Sequence, residues 1–216
     1  MSTTPSTLAT QVTARPLPGG VVDDGFIVPS FDCKALQDMS DKPAGKGCQA
    51  YVWRCTVPEG KYGGKPVALK VLRDDMAFEE SDRQNFVREA HLLARMQSPH
   101  ILRALGVSET VDRLPCILME WCATDASRAL RLRDVGSSSS ARREVMAAWP
   151  SIERLRLMRE LASALEFLHS GDAISGGVMV CHRDVKPDNL GITPDRRLKL
   201  LDFGLAAVWK PLRRVH

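Results

Sequence analysis

What this chain lacks narrows its function before any motif is read. It has no strong charge of either sign: 30 basic and 26 acidic residues leave a net charge of +4, too slight to imply a nucleic-acid or membrane partner. It has no Cys-x-x-Cys pair, and its six cysteines make no metal-ligand array with its five histidines. That argues against a zinc scaffold or a disulfide framework and suits a reducing compartment. It has no apolar run near the ~18 residues of a membrane span. Its N-terminus lacks the charged-then-apolar order of a secretory signal, and Arg15 is the only basic residue in the Ser/Thr-rich stretch from Met1 to Arg15. The expectation is an intracellular, cytoplasmic protein whose 216 residues, 44% of them hydrophobic, can bury a core.

Residues 1–30 mix Ser, Thr, Pro and Gly with little apolar periodicity and read as a disordered leader. Organisation tightens at Gly45-Lys46-Gly47-Cys48-Gln49-Ala50. A glycine loop of this spacing opens dinucleotide sites when a helix follows. Here Tyr51, Trp53, Cys55 and Val57 alternate at strand period instead, and after a Gly-rich turn a second strand runs from Pro66 to Leu72. Side chains alternate along a strand, so Ala68 and Lys70 point the same way. The next segment, Phe78 to Met96, has Phe86, Ala90, Leu93 and Met96 at helical spacing, and Glu89 lies on the same stripe. A carboxylate on a buried face needs a partner, and Lys70 is the natural one. Two strands are expected around 104–107 and 115–120. Residues 134–150, with Gly136 and four serines, read as a flexible insertion. A long amphipathic helix follows, with Ile152, Leu155, Met158, Leu161, Leu165 and Leu168 as its expected core stripe.

The densest chemistry is His182-Arg183-Asp184-Val185-Lys186-Pro187-Asp188-Asn189, with Asp202-Phe203-Gly204 following a short apolar strand. With Val67-Ala68-Leu69-Lys70, these segments resemble the signature set of the eukaryotic protein kinases. The resemblance runs from about Phe31 to Ala207. It implies an α+β, bilobal fold with a complete β-rich small lobe over 31–119, a hinge at 120–122 and an incomplete helical large lobe over 123–216.

The same resemblance implies roles. Asp184 would orient the acceptor hydroxyl, while Asn189 and Asp202 would be Mg2+ ligands. Lys70 would reach the phosphates of ATP, paired with Glu89. Lys186 would approach the transferring phosphate, and in the family it marks the Ser/Thr class. Gly45, Lys46, Gly47, Cys48, Gln49, Ala50 and Val52 would cover the nucleotide, with Ala50 in place of a third glycine stiffening the loop. Ala68 would lie against the adenine, Met119 would be the gatekeeper, and backbone groups from Glu120 to Cys122 would bond the base. Two departures bear on these roles. Asp172 to Met179 adds residues that most relatives lack and could shift the loop's entry. Gly191 stands where many relatives place an apolar side chain under the adenine, so weaker nucleotide binding is expected.

No Ala-Pro-Glu motif follows Gly204, and Leu205 to His216 holds no Ser, Thr or Tyr. The expectation is a Ser/Thr kinase, acting on a protein substrate with ATP and Mg2+, truncated shortly after Asp202-Phe203-Gly204 and weakly active at most in this form. The other reading is a non-catalytic module that binds nucleotide or a partner protein. Five intact residues, Lys70, Glu89, Asp184, Asn189 and Asp202, favour the first.

Overall fold

The computed structural model describes residues 26, 28–60, 62–77, 79–110, 112–130, 139–174 and 177–209. Its chain divides into two compact units, one comprising residues up to Ala94 together with Arg103–Trp121, the other Arg95–Leu102 together with the residues from Cys122 on.

The first unit is built on a five-stranded antiparallel sheet in the order β1-β2-β3-β5-β4. Its strands are β1 (Gly45–Lys46), β2 (Ala50–Thr56), β3 (Pro66–Leu72), β4 (Ala104–Glu109) and β5 (Pro115–Glu120), with helix α1 (Glu80–Arg95) between β3 and β4. The period-2 alternation decides which side chains go where. Trp53, Cys55, Val67, Leu69, Val71, Cys116 and Leu118 share one face and form a buried cluster with Cys33 and Leu36. The opposite face carries Val52, Lys70 and Ile117 in one cross-strand row, and Ala68 and Met119 in the next. Helix α1 buries Phe86, Glu89, Ala90 and Leu93, the stripe anticipated from its spacing.

The expected leader ends earlier than Ser30. Residues 1–25 and 27 lie outside the described residues, but Val28 is buried, and Pro29 O accepts from Val107 N at 2.9 Å. Strand β4 admits this segment because Gly106 has no side chain. A Cβ there would stand 3.0 Å from Pro29 O and 3.1 Å from the Phe31 ring.

The second unit holds two small sheets, β6-β8-β9 and β10-β7. Their strands are β6 (Thr124–Asp125), β7 (Met179–Cys181), β8 (Leu190–Ile192), β9 (Leu198–Leu200) and β10 (Ala207–Trp209), and the helices are α2 (Ala126–Ala129), α3 (Ser139–Ala148) and α4 (Ser151–His169). Trp149, Leu157, Ile192 and Leu198 form the buried cluster beside the β8-β9 hairpin.

Two expectations need correction here. The segment expected as a flexible insertion is helical over Ser139–Ala148, and it ends in Trp149, which is buried with the Arg196 guanidinium 4.0 Å from its ring centre. An aromatic anchor and a cation over its face outweigh the loop-like composition of the preceding serines. The long helix keeps the later part of its expected stripe inward, with Leu168 buried and Leu161 packed on the Trp149 cluster, but not the first part. Leu157, Glu160, Ala164 and Leu168 are buried, whereas Ile152, Leu155 and Met158 are 73%, 65% and 66% exposed. The reason lies in Glu160, whose carboxylate accepts from Leu198 N at 2.8 Å and pairs with Arg197 at 2.8 Å, fixing the helix by a polar contact with β9.

Candidate active site

In the first unit the candidate residues converge by register. Gly45 lies opposite Val52, Val52 opposite Lys70, and Ala68 opposite Met119, so the chosen residues of four strands share one face. Lys70 Nζ donates to both oxygens of Glu89 at 2.7 Å and lies 5.5 Å from the Phe86 ring centre. Burial explains the pairing, since the glutamate side chain is 4% exposed and an unpartnered carboxylate there would carry a large desolvation penalty.

The glycine loop is a tight turn, with Gly47 N donating to Ala50 O at 2.9 Å. Lys46, Gly47, Cys48 and Gln49 are exposed. Arg73, one residue beyond β3, holds the turn from behind: its N donates to Gln49 O and its guanidinium to Cys48 O. Composition gave no sign of that role. Glu120 is also more constrained than expected. Its N donates to Arg103 O, and its carboxylate accepts from Tyr62 Oη at 3.2 Å and Arg103 N at 3.3 Å.

In the second unit, the loop between β7 and β8 gathers Asp184, Lys186 and Asn189. Asp184 Oδ2 accepts from Lys186 Nζ at 2.7 Å and from Asn189 Nδ2 at 2.9 Å, and Asn189 Nδ2 also reaches Asp184 O. The Lys186 ammonium, and after it the Asn189 amide, hold the Asp184 carboxyl below the usual carboxylate range, while Asp184 raises Lys186 in return. Asp202 also lies near enough to Lys186 to raise it. Asp184 is therefore an anion at neutral pH, with its orientation fixed from two sides.

His182 is the residue whose work the sequence did not disclose. It is buried, its Nδ1 accepts from Asp184 N at 3.2 Å, and its Nε2 lies 2.8 Å from Leu201 O. Accepting at one nitrogen leaves the proton on Nε2, so the ring donates to Leu201 O and ties the Asp184 loop to the residue before Asp202. It also packs edge-on against Phe203, 4.7 Å between ring centres. The extra residues before the loop are accommodated by a bridge between Ile174 and Val178, and His182 keeps both its contacts. Arg183 and Asp202 adopt left-handed φ of 66° and 58°, a conformation costly for side-chain-bearing residues and concentrated at functional sites.

Both hydrogen bonds of the Asn189 amide use Nδ2, so Oδ1 is the atom it would offer a cation. The Asp202 carboxylate, which the family resemblance pairs with it, would add a second hard oxygen donor. Among the described residues no cluster of three or more His, Cys, Asp or Glu is placed to hold a metal. One amide and one carboxylate fit an ion such as Mg2+, which keeps waters and takes phosphate oxygens for the rest of its shell. Among the described residues no helix is long and apolar enough to cross a membrane.

Comparison with known proteins agrees with this geometry. The chain is 31% identical over 175 residues to a rice serine/threonine-protein kinase/endoribonuclease IRE1, covering 76% of this chain and 17% of that protein. It is 30% identical over 173 residues to the serine/threonine-protein kinase pkn2 of Myxococcus xanthus, covering 79% of this chain and 18% of the relative. Against the serine/threonine-protein kinase PknK of Mycobacterium tuberculosis it is 30% identical over 185 residues, 84% of this chain and 14% of the other. The matched region is thus under a fifth of each relative's length. The model of the protein kinase domain matches residues 40–215. With that match over most of its length, the chain belongs to the protein kinase family.

Proposed function

We propose that the chain acts as a protein serine/threonine kinase, moving the γ-phosphate of Mg-ATP to a hydroxyl of a protein substrate. The observation that carries this reading is the Asp184–Lys186–Asn189 network. It supplies an oriented anion for the acceptor hydroxyl, a cation beside it for the transferring phosphate, and an amide oxygen left for a metal. Phosphoryl transfer needs little else from a protein than such positioning and charge neutralisation. Bound Mg2+ would supply charge neutralisation on the phosphates, held by Asn189 and Asp202. Lys70, aimed by Glu89, would hold the phosphates of the nucleotide, and Ala68 and Met119 on the same sheet face would meet its base. Asp184 would align the acceptor hydroxyl and take up its proton as the new ester bond to the γ-phosphorus forms and the bond to the β–γ bridging oxygen breaks, with ADP as the leaving group. A cytoplasmic setting goes with this reading and with cysteines that lack Cys-x-x-Cys spacing.

The test is phosphate transfer from γ-labelled Mg-ATP to Ser/Thr protein substrates, with Lys70→Met and Asp184→Asn alongside. Transfer that falls by at least about a hundredfold in Asp184→Asn, with Mg-ATP affinity retained, is the expected result. Mg-ATP binding with no transfer by the unaltered protein would instead support a nucleotide-binding module, and undiminished transfer in Asp184→Asn would remove that residue from its role.

A further inference from the structure

The end of strand β3 is tied to the glycine loop by a side chain outside every motif of the sequence. The 3-10 turn over Asp74–Met76 follows Arg73 directly and brings Asp75 back beside it. Arg73 donates to both carboxylate oxygens of Asp75, through Nε at 2.8 Å and through Nη2, and its third nitrogen, Nη1, donates to Cys48 O at 3.2 Å. Its guanidinium carbon also lies 5.6 Å from the centre of the Tyr51 ring. A guanidinium is planar, so two bonds to one carboxylate set the direction of the third nitrogen. The ion pair adds little stability where it stands, because the Asp75 side chain is 56% exposed and water screens it. Its consequence is geometric. The Cys48–Gln49 peptide is trans, so its N–H points opposite to its C=O, and a carbonyl turned to Arg73 turns the Gln49 N–H the other way.

We propose that Arg73, aimed by Asp75, is a positioning residue for phosphate binding: by holding Cys48 O it keeps the Gln49 N–H in the orientation that receives a phosphate oxygen of the nucleotide. This rests on the kinase reading, in which the exposed loop of Lys46, Gly47, Cys48 and Gln49 covers the phosphates. If the Cys48–Gln49 peptide turned over, its carbonyl would replace the N–H and repel the anion. Fixing the donor before the ligand arrives removes an ordering cost from binding. Arg73 acts through this peptide and not by touching the nucleotide.

The test titrates the full chain with Mg-ATP, with Mg-tripolyphosphate, which carries the phosphates and no base, and with adenosine, which carries the base and no phosphate. Arg73→Met should weaken Mg-ATP and Mg-tripolyphosphate about threefold to tenfold, the size of one lost hydrogen bond, and leave adenosine unchanged. Asp75→Asn should do the same to a smaller degree. Arg73→Met/Asp75→Asn should bind no more weakly than Arg73→Met, since Asp75 acts only through the guanidinium. In amide NMR the Gln49 signal should move when Mg-tripolyphosphate is added to the parent, and move less in Arg73→Met. Asp75→Asn, a change at an exposed side chain, carries the same comparison if Arg73→Met does not fold. Weakening of adenosine in step with the phosphate ligands would mean a merely structural side chain and overturn the proposal. Unchanged Mg-ATP binding in Arg73→Met, additive losses in the double variant, or a Gln49 amide unmoved in the parent would overturn it too. Failure of the unaltered protein to bind Mg-ATP would overturn the kinase reading itself.

Discussion

Lys70 Nζ lies 2.7 Å from each carboxylate oxygen of Glu89, with the lysine side chain 15% exposed and the glutamate 4%. Such a pair contributes less to net stability than its geometry suggests, because both charges give up water to form it, yet removing one partner strands the other. Lys70→Met should therefore destabilise the first unit by about 3 kcal/mol in urea unfolding, and Lys70→Met/Glu89→Leu should recover most of that. Mg-ATP binding should return in neither. Recovery of binding together with stability would mean that the lysine serves the fold and not the nucleotide.

The Asp184–Lys186 contact sets a pH signature. Lys186→Met removes the main cause that holds the Asp184 carboxyl low, so its titration, followed by carboxyl-carbon NMR, should move up toward the ordinary aspartate range. A depressed folded-state pKa contributes stability that is present above the unfolded value and lost as pH falls through the folded one. The variant should accordingly lose less stability between neutral and acid pH than the parent. An unmoved Asp184 titration would show that Lys186 is not what holds its charge.

Helix α3 is expected to depend on its end. Trp149 is buried under the Arg196 guanidinium, and Arg196 Nη2 donates to Ala148 O at 2.6 Å. Trp149→Ala should cost about 3 kcal/mol of stability and speed tryptic cleavage after Arg143, an exposed residue of that helix, well before cleavage after Lys70. Cleavage at Arg143 no faster than in the parent would mean that the helix holds without its anchor.

Gly106→Ala tests how residues 28–31 join the sheet. The added methyl would meet a backbone oxygen at 3.0 Å as well as the Phe31 ring, and backbone yields less readily than a side-chain tip. A loss of about 1–2 kcal/mol is expected, with faster hydrogen exchange at the amides of Phe31 and Val107, which bond across this junction. Unchanged exchange would show that the segment moves aside without cost.

Much of the chemistry was legible in the amino-acid sequence, because strand alternation and helical spacing are local properties. They put Ala68 and Lys70 on one face and Glu89 on a buried stripe, and the close spacing of Asp184, Lys186 and Asn189 brought those three within one loop. The structure decided what local pattern leaves open. Helix α4 has apolar residues on more than one side, so periodicity allowed Ile152, Leu155 and Met158 as core together with Leu161 and Leu168, and the packing of Leu157 and Leu161 with the Glu160 contact to Leu198 N, 38 residues away, leaves the first three outside. The serine-rich composition before Ala148 gave no hint of helix, because its anchor, Arg196, is 48 residues further on. Gly191 alone reads as a missing side chain. That Cys122 fills its place, 69 positions earlier in the sequence, follows from tertiary packing, which brings distant segments within van der Waals reach where no sequence period connects them.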